Sequence, residues 1–151
     1  MGLSSELTPH LNAMERFCAY QERSTFEIKC KLRIKGLSEK SIDEVLQHLN
    51  ATNFLNERRF AMAYVQGKSS IKRWGVNKIR LGLQKHQISP ELIKEALNSI
   101  SLISSQEQLK DWFDRKTKAL EREPDSPKKK AKIVRFLLGK GFPIQEILPL
   151  F

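Results

Sequence analysis

Apolar residues along this chain recur at i, i+3, i+4 and i+7 with polar residues between them, and stretches alternating Val, Ile or Thr with polar residues are absent. That period predicts helices throughout. A first helix is expected from Pro9, capped by Thr8 and ending near Glu22, with Leu11, Met14 and Cys18 facing inward. Ser24 and Glu27 form a capping-box pattern for a second helix closed by Gly36, and Ser38 caps a third carrying Ile42, Val45, Leu46 and Leu49. Asn56 starts a fourth, with Phe60, Ala63 and Tyr64 on one side, running toward Arg73. Gly75 punctuates before a short helix with Val76, Ile79 and Leu83, and Ser89-Pro90-Glu91 opens the next, with Leu92, Ile93, Ala96, Leu97 and Ile100. Ser105 is expected to open a seventh with Leu109, Trp112, Phe113 and Leu120. Two prolines in Glu123-Pro124-Asp125-Ser126-Pro127 predict a mobile linker. Lys128-Lys129-Lys130 leads into a helix bearing Ile133, Val134, Leu137 and Leu138, and Pro143 begins a last short one whose apolar end docks on its own core.

The pattern also repeats. Shifted by 51 positions, Ile79-Arg80-Leu81-Gly82-Leu83 falls on Ile28 to Leu32 and Ile88-Ser89 on Leu37-Ser38. Shifted by 105, Ile133, Leu137, Gly141-Phe142-Pro143 and Ile147 fall on Ile28, Leu32, Gly36-Leu37-Ser38 and Ile42. A period near 50 residues marks stacked modules, each too small to bury its apolar face alone. The 151 residues therefore read as an all-α array of three three-helix modules, over 1–53, 54–103 and 104–151.

Composition narrows the partners. The net charge is +10, and between Glu57 and Glu91 there is no acidic residue while Arg58, Arg59, Lys68, Lys72, Arg73, Lys78, Arg80 and Lys85 supply eight positive charges. One-sign stretches repel themselves in the folded state, which points to an anionic partner: nucleic acid, an acidic protein groove, or a complex of both. No apolar run approaches the roughly 20 residues of a membrane helix, and the N-terminus lacks a signal-peptide layout, so no membrane and a cytoplasmic location are expected. Cys18 and Cys30 sit where small apolar residues would serve and read as reduced core thiols.

Catalysis finds no support. His10, His48 and His86 lie far apart without metal-ligand or triad neighbours and read as surface histidines. Glu107, Asp111 and Asp114 share a helical face but alternate with Lys110 and Arg115, which suits a solvated face. Gly139-Lys140-Gly141 lacks the first glycine and the Ser or Thr of a phosphate loop. No enzyme, metal or cofactor is expected.

The basic residues behave differently, because they recur at equivalent places. Arg23, Lys29, Lys31 and Arg33 flank the second helix of the first module; Lys78, Arg80 and Lys85 occupy the matching helix of the second, with Lys72 and Arg73 leading into it; Lys128, Lys132 and Arg135, with Lys129 and Lys130, belong to that of the third. Stacked modules would join them into one basic strip. Trp74, leading into this stretch, suits either base stacking or, more commonly, packing at a module boundary.

These residues carry a resemblance to the RecX family, bacterial regulators of the RecA recombinase. The first module has the family's run at Arg23-Ser24, Glu27-Ile28, Lys31-Leu32 and Lys35-Gly36; the second at Leu55-Asn56-Glu57, Arg59-Phe60-Ala61, Gly75, Ile79 and Leu83; the third at Phe136-Leu137 and Gly141-Phe142. Three positions depart from it. Asn56 replaces an Asp, His86-Gln87 replaces a Lys-Gly so that the turn there is made without glycine, and Glu123 to Pro127 is an acidic insertion. The resemblance implies an elongated, curved array of three tandem three-helix modules, acting as a monomer. Its implied partners are the RecA filament, in whose groove it lies, and single-stranded DNA, directly or through the filament; the implied effect is inhibition of ATP hydrolysis and strand exchange. The rival expectation is a nonspecific helical nucleic-acid binder with no recombinase partner.

Overall fold

Three Ile and Leu pairs one helical turn apart, Ile28 and Leu32, Ile79 and Leu83, Ile133 and Leu137, are all almost completely removed from solvent. Each pair sits on the second helix of a module and forms the floor of that module's own core. The computed structural model describes residues 3–151, and among them the regular elements are all helical: α1 (Thr8–Tyr20), α2 (Thr25–Ile34), α3 (Glu39–Ala51), α4 (Glu57–Ser70), α5 (Val76–Lys85), α6 (Pro90–Leu97), α7 (Leu102–Ala119), α8 (Pro127–Gly139) and α9 (Ile144–Ile147). Short 3-10 turns at Ser5–Leu7 and Leu148–Leu150 flank the first and last.

The buried apolar residues fall into three separate clusters. The first gathers Met14, Ile28, Leu32, Ile42, Val45 and Leu49, and reaches forward to Leu55; the second gathers Phe60, Val65, Ile79, Leu83, Ile88 and Ile93; the third gathers Leu109, Ile133, Leu137, Phe142 and Ile147. Within each module the helices pack on one another, α2 on α3, α4 on α5 and α6, α7 on α8. Truncating Leu32 or Leu137, each at 0% exposure, removes contacts on every side, and such changes typically cost about 2–5 kcal/mol.

The sequence repeat has a structural meaning: it is a helix ending. In all three modules the second helix closes with the same pair of backbone bonds, Gly36 N–H to Arg33 O and Leu37 N–H to Leu32 O, Gln87 to Gln84 and Ile88 to Leu83, Gly141 to Leu138 and Phe142 to Leu137. This is the Schellman arrangement, in which the residue after the C-cap turns left-handed and the next buries an apolar side chain. Gly36 and Gly141 take φ of 85° and 98°, and the middle module turns the same corner with Gln87 at φ 58°. The expected glycine-free turn is thus present, with its strain carried by a residue that has a Cβ.

Helix starts follow the short polar residues. Ser24, Ser38, Asn56, Ser89, Ser101 and Ser126 each accept a backbone N–H from three residues on, and loss of such a cap typically costs about 1 kcal/mol. Several boundaries differ from the sequence reading. Thr8 is the first residue of α1 and not its cap, and α1 stops at Tyr20 because Gln21 is extended. The fourth helix stops at Ser70, and Arg73 turns left-handed beyond it. The seventh is capped by Ser101 and begins at Leu102, three residues before Ser105. The segment Glu123 to Pro127, expected to be mobile, is pinned: Lys129 Nζ donates to Glu123 O and Asp125 Oδ1, both at 3.2 Å, and Lys132 Nζ to Glu123 Oε1 at 2.8 Å.

The modules meet end to end through their second helices. At the start of α5, Gly75 N–H donates to Lys140 O at 2.7 Å and Asn77 N–H to Gly141 O at 2.9 Å, so the end of α8 satisfies donors that a helix start leaves open. The close approach requires glycine on both sides, since a Cβ at Gly75 would fall on the Gly141 carbonyl and a Cβ at Gly141 on Lys78. At the start of α2 the contact is made by side chains instead. Ser24 Oγ lies 2.9 Å from His86 Nδ1 at the end of α5, and Thr25 N–H reaches Glu57 Oε1 at 3.4 Å.

Two outcomes follow for stability. Gln87→Gly relieves the left-handed strain and should raise the thermal midpoint, with a gain of about 0.5–1 kcal/mol after the entropy cost of glycine; an unchanged or lower midpoint in a calorimetric scan counts against the strain. Gly75→Ala should part α8 from α5, so that small-angle scattering records a larger radius of gyration while far-UV circular dichroism stays near wild type.

Candidate functional site

The twelve cations singled out from sequence divide into those held by the fold and those that are not. Arg23 lies against the Phe17 ring at 3.6 Å, donates Nε–H to Phe17 O at 3.0 Å and pairs with Glu27 at 3.8 Å. Arg33 makes a forked pair with Glu39 at 2.9 and 3.2 Å; hydrogen bonding across it raises the guanidinium pKa and lowers that of the Glu39 carboxyl. Arg73 pairs with Asp111 at 3.0 Å, and its carbonyl accepts Trp112 Nε1–H at 2.8 Å, joining the second module to the third. Lys132 pairs with Glu123, whose carboxyl pKa is lowered, first by that hydrogen bond.

The remaining eight have no carboxylate within 4.0 Å among the described residues. Lys72, Lys85, Lys128 and Arg135 are exposed, and Lys29 is half-buried. Lys31 lies over the Phe17 ring at 4.1 Å and Lys78 over Trp74 at 4.5 Å, while Arg80 donates Nη1–H to Asn77 Oδ1 at 2.9 Å. The end-to-end docking of α2, α5 and α8 places seven of these groups on successive members of one row of helices, and Lys72 lies in the turn that leads into α5.

On α5 the structure separates what sequence reading had joined. Lys78, Leu81 and Lys85 follow one side of the helix and line a cleft with Tyr64, Trp74 and Leu138. Val76, Arg80 and Gln84 follow another, where they line a groove against α6 with Ile93 and Lys94. Arg80 and Lys78 therefore serve different surfaces.

Several residues escaped the sequence reading. His86 is no free surface histidine: it is half-buried, bonded to Ser24, tilted against Phe60 at 4.9 Å and edge-on to Tyr64 at 5.6 Å. Arg59 bridges the first two modules through Glu22 at 2.6 Å and the carbonyls of Asn53 and Phe54. Asp111, assigned to a solvated face, belongs to the second junction. Lys68 covers Trp74 at 4.9 Å and Lys140 covers Trp112 at 4.2 Å. Lys68 also lies over Tyr64 at 5.4 Å, and the four-residue spacing of that pair is its one local signal; nothing local signals the contacts to Trp74 and Trp112. Trp74 packs against the second core, as the more common reading had it. Burial raises the Cys18 thiol pKa, as an apolar setting should. Among the described residues no three His, Cys, Asp or Glu side chains are grouped as a metal site requires, and no helix is long and apolar enough to cross a membrane.

The acidic insertion sits against the basic start of α8 and screens it. Glu123→Gln should release Lys132 and strengthen binding of a fluorescent poly(dT) oligonucleotide by about two- to fivefold at low salt, in keeping with an exposed pair. Because the Glu123 pKa is lowered in the fold, the pairing is complete above the ordinary glutamate range and is lost as pH falls through the lowered value. The wild-type protein should therefore approach the variant's affinity only at strongly acidic pH, and equal affinities at neutral pH would remove the screen.

Family models described as RecX, first, second and third three-helix domain, match residues 11–49, 56–97 and 104–148. The Regulatory protein RecX of Haemophilus influenzae (strain PittGG) is 30% identical over 146 residues, covering 92% of this chain and 90% of that one. The protein of the same name from Clostridium botulinum (strain Eklund 17B / Type B) is 34% identical over 117 residues; these are 77% of this chain, which spans about half of that relative, 54% of its length. The crystal structure of RecX from Lactobacillus salivarius superposes with a TM-score of 0.81 at 26% identity, covering 95% of this chain and 92% of that one. A crystal structure described as regulatory protein RecX, at 21% identity, shares the fold with a TM-score of 0.82 over 90% of this chain and 68% of that one.

Proposed function

The chain belongs to the RecX family, and on that premise we propose that it is a regulator of the RecA recombinase that lies in the groove of the RecA filament on single-stranded DNA and inhibits filament growth, ATP hydrolysis and strand exchange. It acts by binding and not by catalysis, as a cytoplasmic monomer, with three repeats over residues 1–53, 54–103 and 104–151.

The observation that carries this reading is the row of second helices. Docked end to end, α2, α5 and α8 give the molecule a length of successive cations, and a filament groove is a long anionic surface lined by acidic protein and by phosphate. A row of weak contacts suits such a partner, because each released counterion adds a little affinity and the sum depends on register along the groove. The unpaired cations, Lys29, Lys31, Lys72, Lys78, Arg80, Lys85, Lys128 and Arg135, are assigned to this contact, with Lys78 and Lys85 meeting the groove from one side of α5 and Arg80 from another. Arg23, Arg33, Arg73 and Lys132 support it by holding helices and junctions, and Lys132 joins it when Glu123 lets go.

Co-sedimentation at physiological salt tests the reading, with RecA filaments on single-stranded DNA in one arm and bare single-stranded DNA in the other. The protein should be captured preferentially by the filament, and Lys72→Glu with Lys85→Glu, both exposed positions, should weaken capture roughly tenfold or more. Equal or stronger capture by bare DNA would replace this function with that of a plain nucleic-acid binder.

A further inference from the structure

The cleft between α5 and the end of α8 has a chemistry that the row of lysines does not explain. It measures about 440 Å³. Its lining is mostly apolar, and two of its leucines are unusually bare for a globular surface: Leu81 is 58% exposed and Leu138 is 45% exposed. They come from different modules, so the cleft exists only while Gly75 and Gly141 hold the second and third modules together. Lys78 and Lys85 stand one turn on either side of Leu81, and no acidic side chain lines the cleft.

We propose that this cleft docks an acidic segment of a protein partner through one or two aliphatic side chains, and that it does not hold nucleic acid. A base would need an open aromatic face. Of the two aromatic rings in the cleft, Trp74 is already approached by Lys68 at 4.9 Å and Lys78 at 4.5 Å, and Tyr64 by Lys68 at 5.4 Å with Phe60 and His86 packed against it. What the cleft leaves uncovered is leucine methyl groups, which gain most from burial against other aliphatic groups. Flanking ammonium groups add attraction for carboxylates and raise the rate of encounter. A protein segment bearing an aliphatic residue between acidic ones meets both demands; a sugar-phosphate chain meets only the second. This inference rests on the reading above, in that the segment belongs to the recombinase, and it divides the labour of the surface: the cleft grips protein, and the cations of α2 and the start of α8 are left for phosphate.

Two kinds of variant test it, neither touching a core. Leu81→Ser with Leu138→Ser removes the aliphatic anchors. Gly139→Phe fills the cleft from a position where an added Cβ meets no atom within 4 Å. Each should lower capture by RecA filaments about tenfold, as loss of a central anchor does, while affinity for bare single-stranded DNA, read by fluorescence anisotropy, stays within about twofold. Unchanged capture by the filament would overturn the inference, and so would a matching loss on bare DNA, which would put nucleic acid in the cleft. If wild-type protein shows no preference for filaments, the regulatory reading fails in the wild-type arm alone and this inference falls with it. A loss confined to the variants' filament arm supports both.

Discussion

Everything distinctive about this molecule depends on how the end of one second helix meets the start of the next. A helix start presents backbone donors with no partner inside the helix, and a helix end presents matching acceptors. Bringing Lys140 and Gly141 carbonyls to Gly75 and Asn77 N–H groups satisfies both and aligns the two helix dipoles head to tail. The cost is steric: two chains of backbone must approach where any Cβ would intrude. Glycine at both positions removes that cost. The first junction makes the same connection without glycine, so Ser24, Glu57 and His86 reach across with side chains. The two joints are thus of different kinds, one made by backbone and one by side chains, among them a histidine packed against Phe60 and Tyr64.

The charges divide along the same lines. Arginine, with its planar fork of donors, takes the positions that need geometry: Arg59 to Glu22 across the first junction, Arg73 to Asp111 across the second, Arg33 to Glu39 within the first module. Apart from Lys129 and Lys132, which hold the Glu123–Pro127 turn, the lysines of the row, each a mobile point charge, face solvent or rest on an aromatic ring. The long acid-free stretch that made the sequence look so one-sided is therefore partly neutralised in space, because Glu22, Glu95 and Asp111 come to it from outside. What survives of it is mostly lysine, which suits contact with a repeating anionic surface better than recognition of a single shaped group.

Most of the secondary structure was legible from local rules. Ser24, Ser38, Asn56 and Ser89 were identified as caps because a short polar side chain before an apolar period has few other uses. The buried stripe of α7 begins only at Leu109, which makes Ser105 the natural cap by local rules, whereas the helix starts a turn earlier at Ser101 with Leu102 and Ile103 exposed. The insertion was read as mobile because two prolines break a helix; that Lys129 and Lys132 would fold back upon it depends on the turn bringing them together, which no local pattern encodes. The candidate site was legible as a set of residues but not as a surface. Lys78 and Arg80 are two apart, and on a helix that separation sends them to different faces.

The sequence by itself determined the unit and its number. The positions of Ile28, Leu32, Gly36 and Leu37, repeated at intervals near 50, specify a helix, a left-handed turn and a buried apolar residue, and these are short-range consequences of side-chain volume and backbone sterics. Family membership is likewise carried by sequence, through matches over residues 11–49, 56–97 and 104–148. Only the tertiary structure decided what joins the units, which charges are cancelled, and where apolar surface is left bare. Those outcomes rest on contacts between residues tens of positions apart, such as Gly75 with Lys140 or Ser24 with His86, and the free energy of such contacts depends on distances that exist only once the modules have docked.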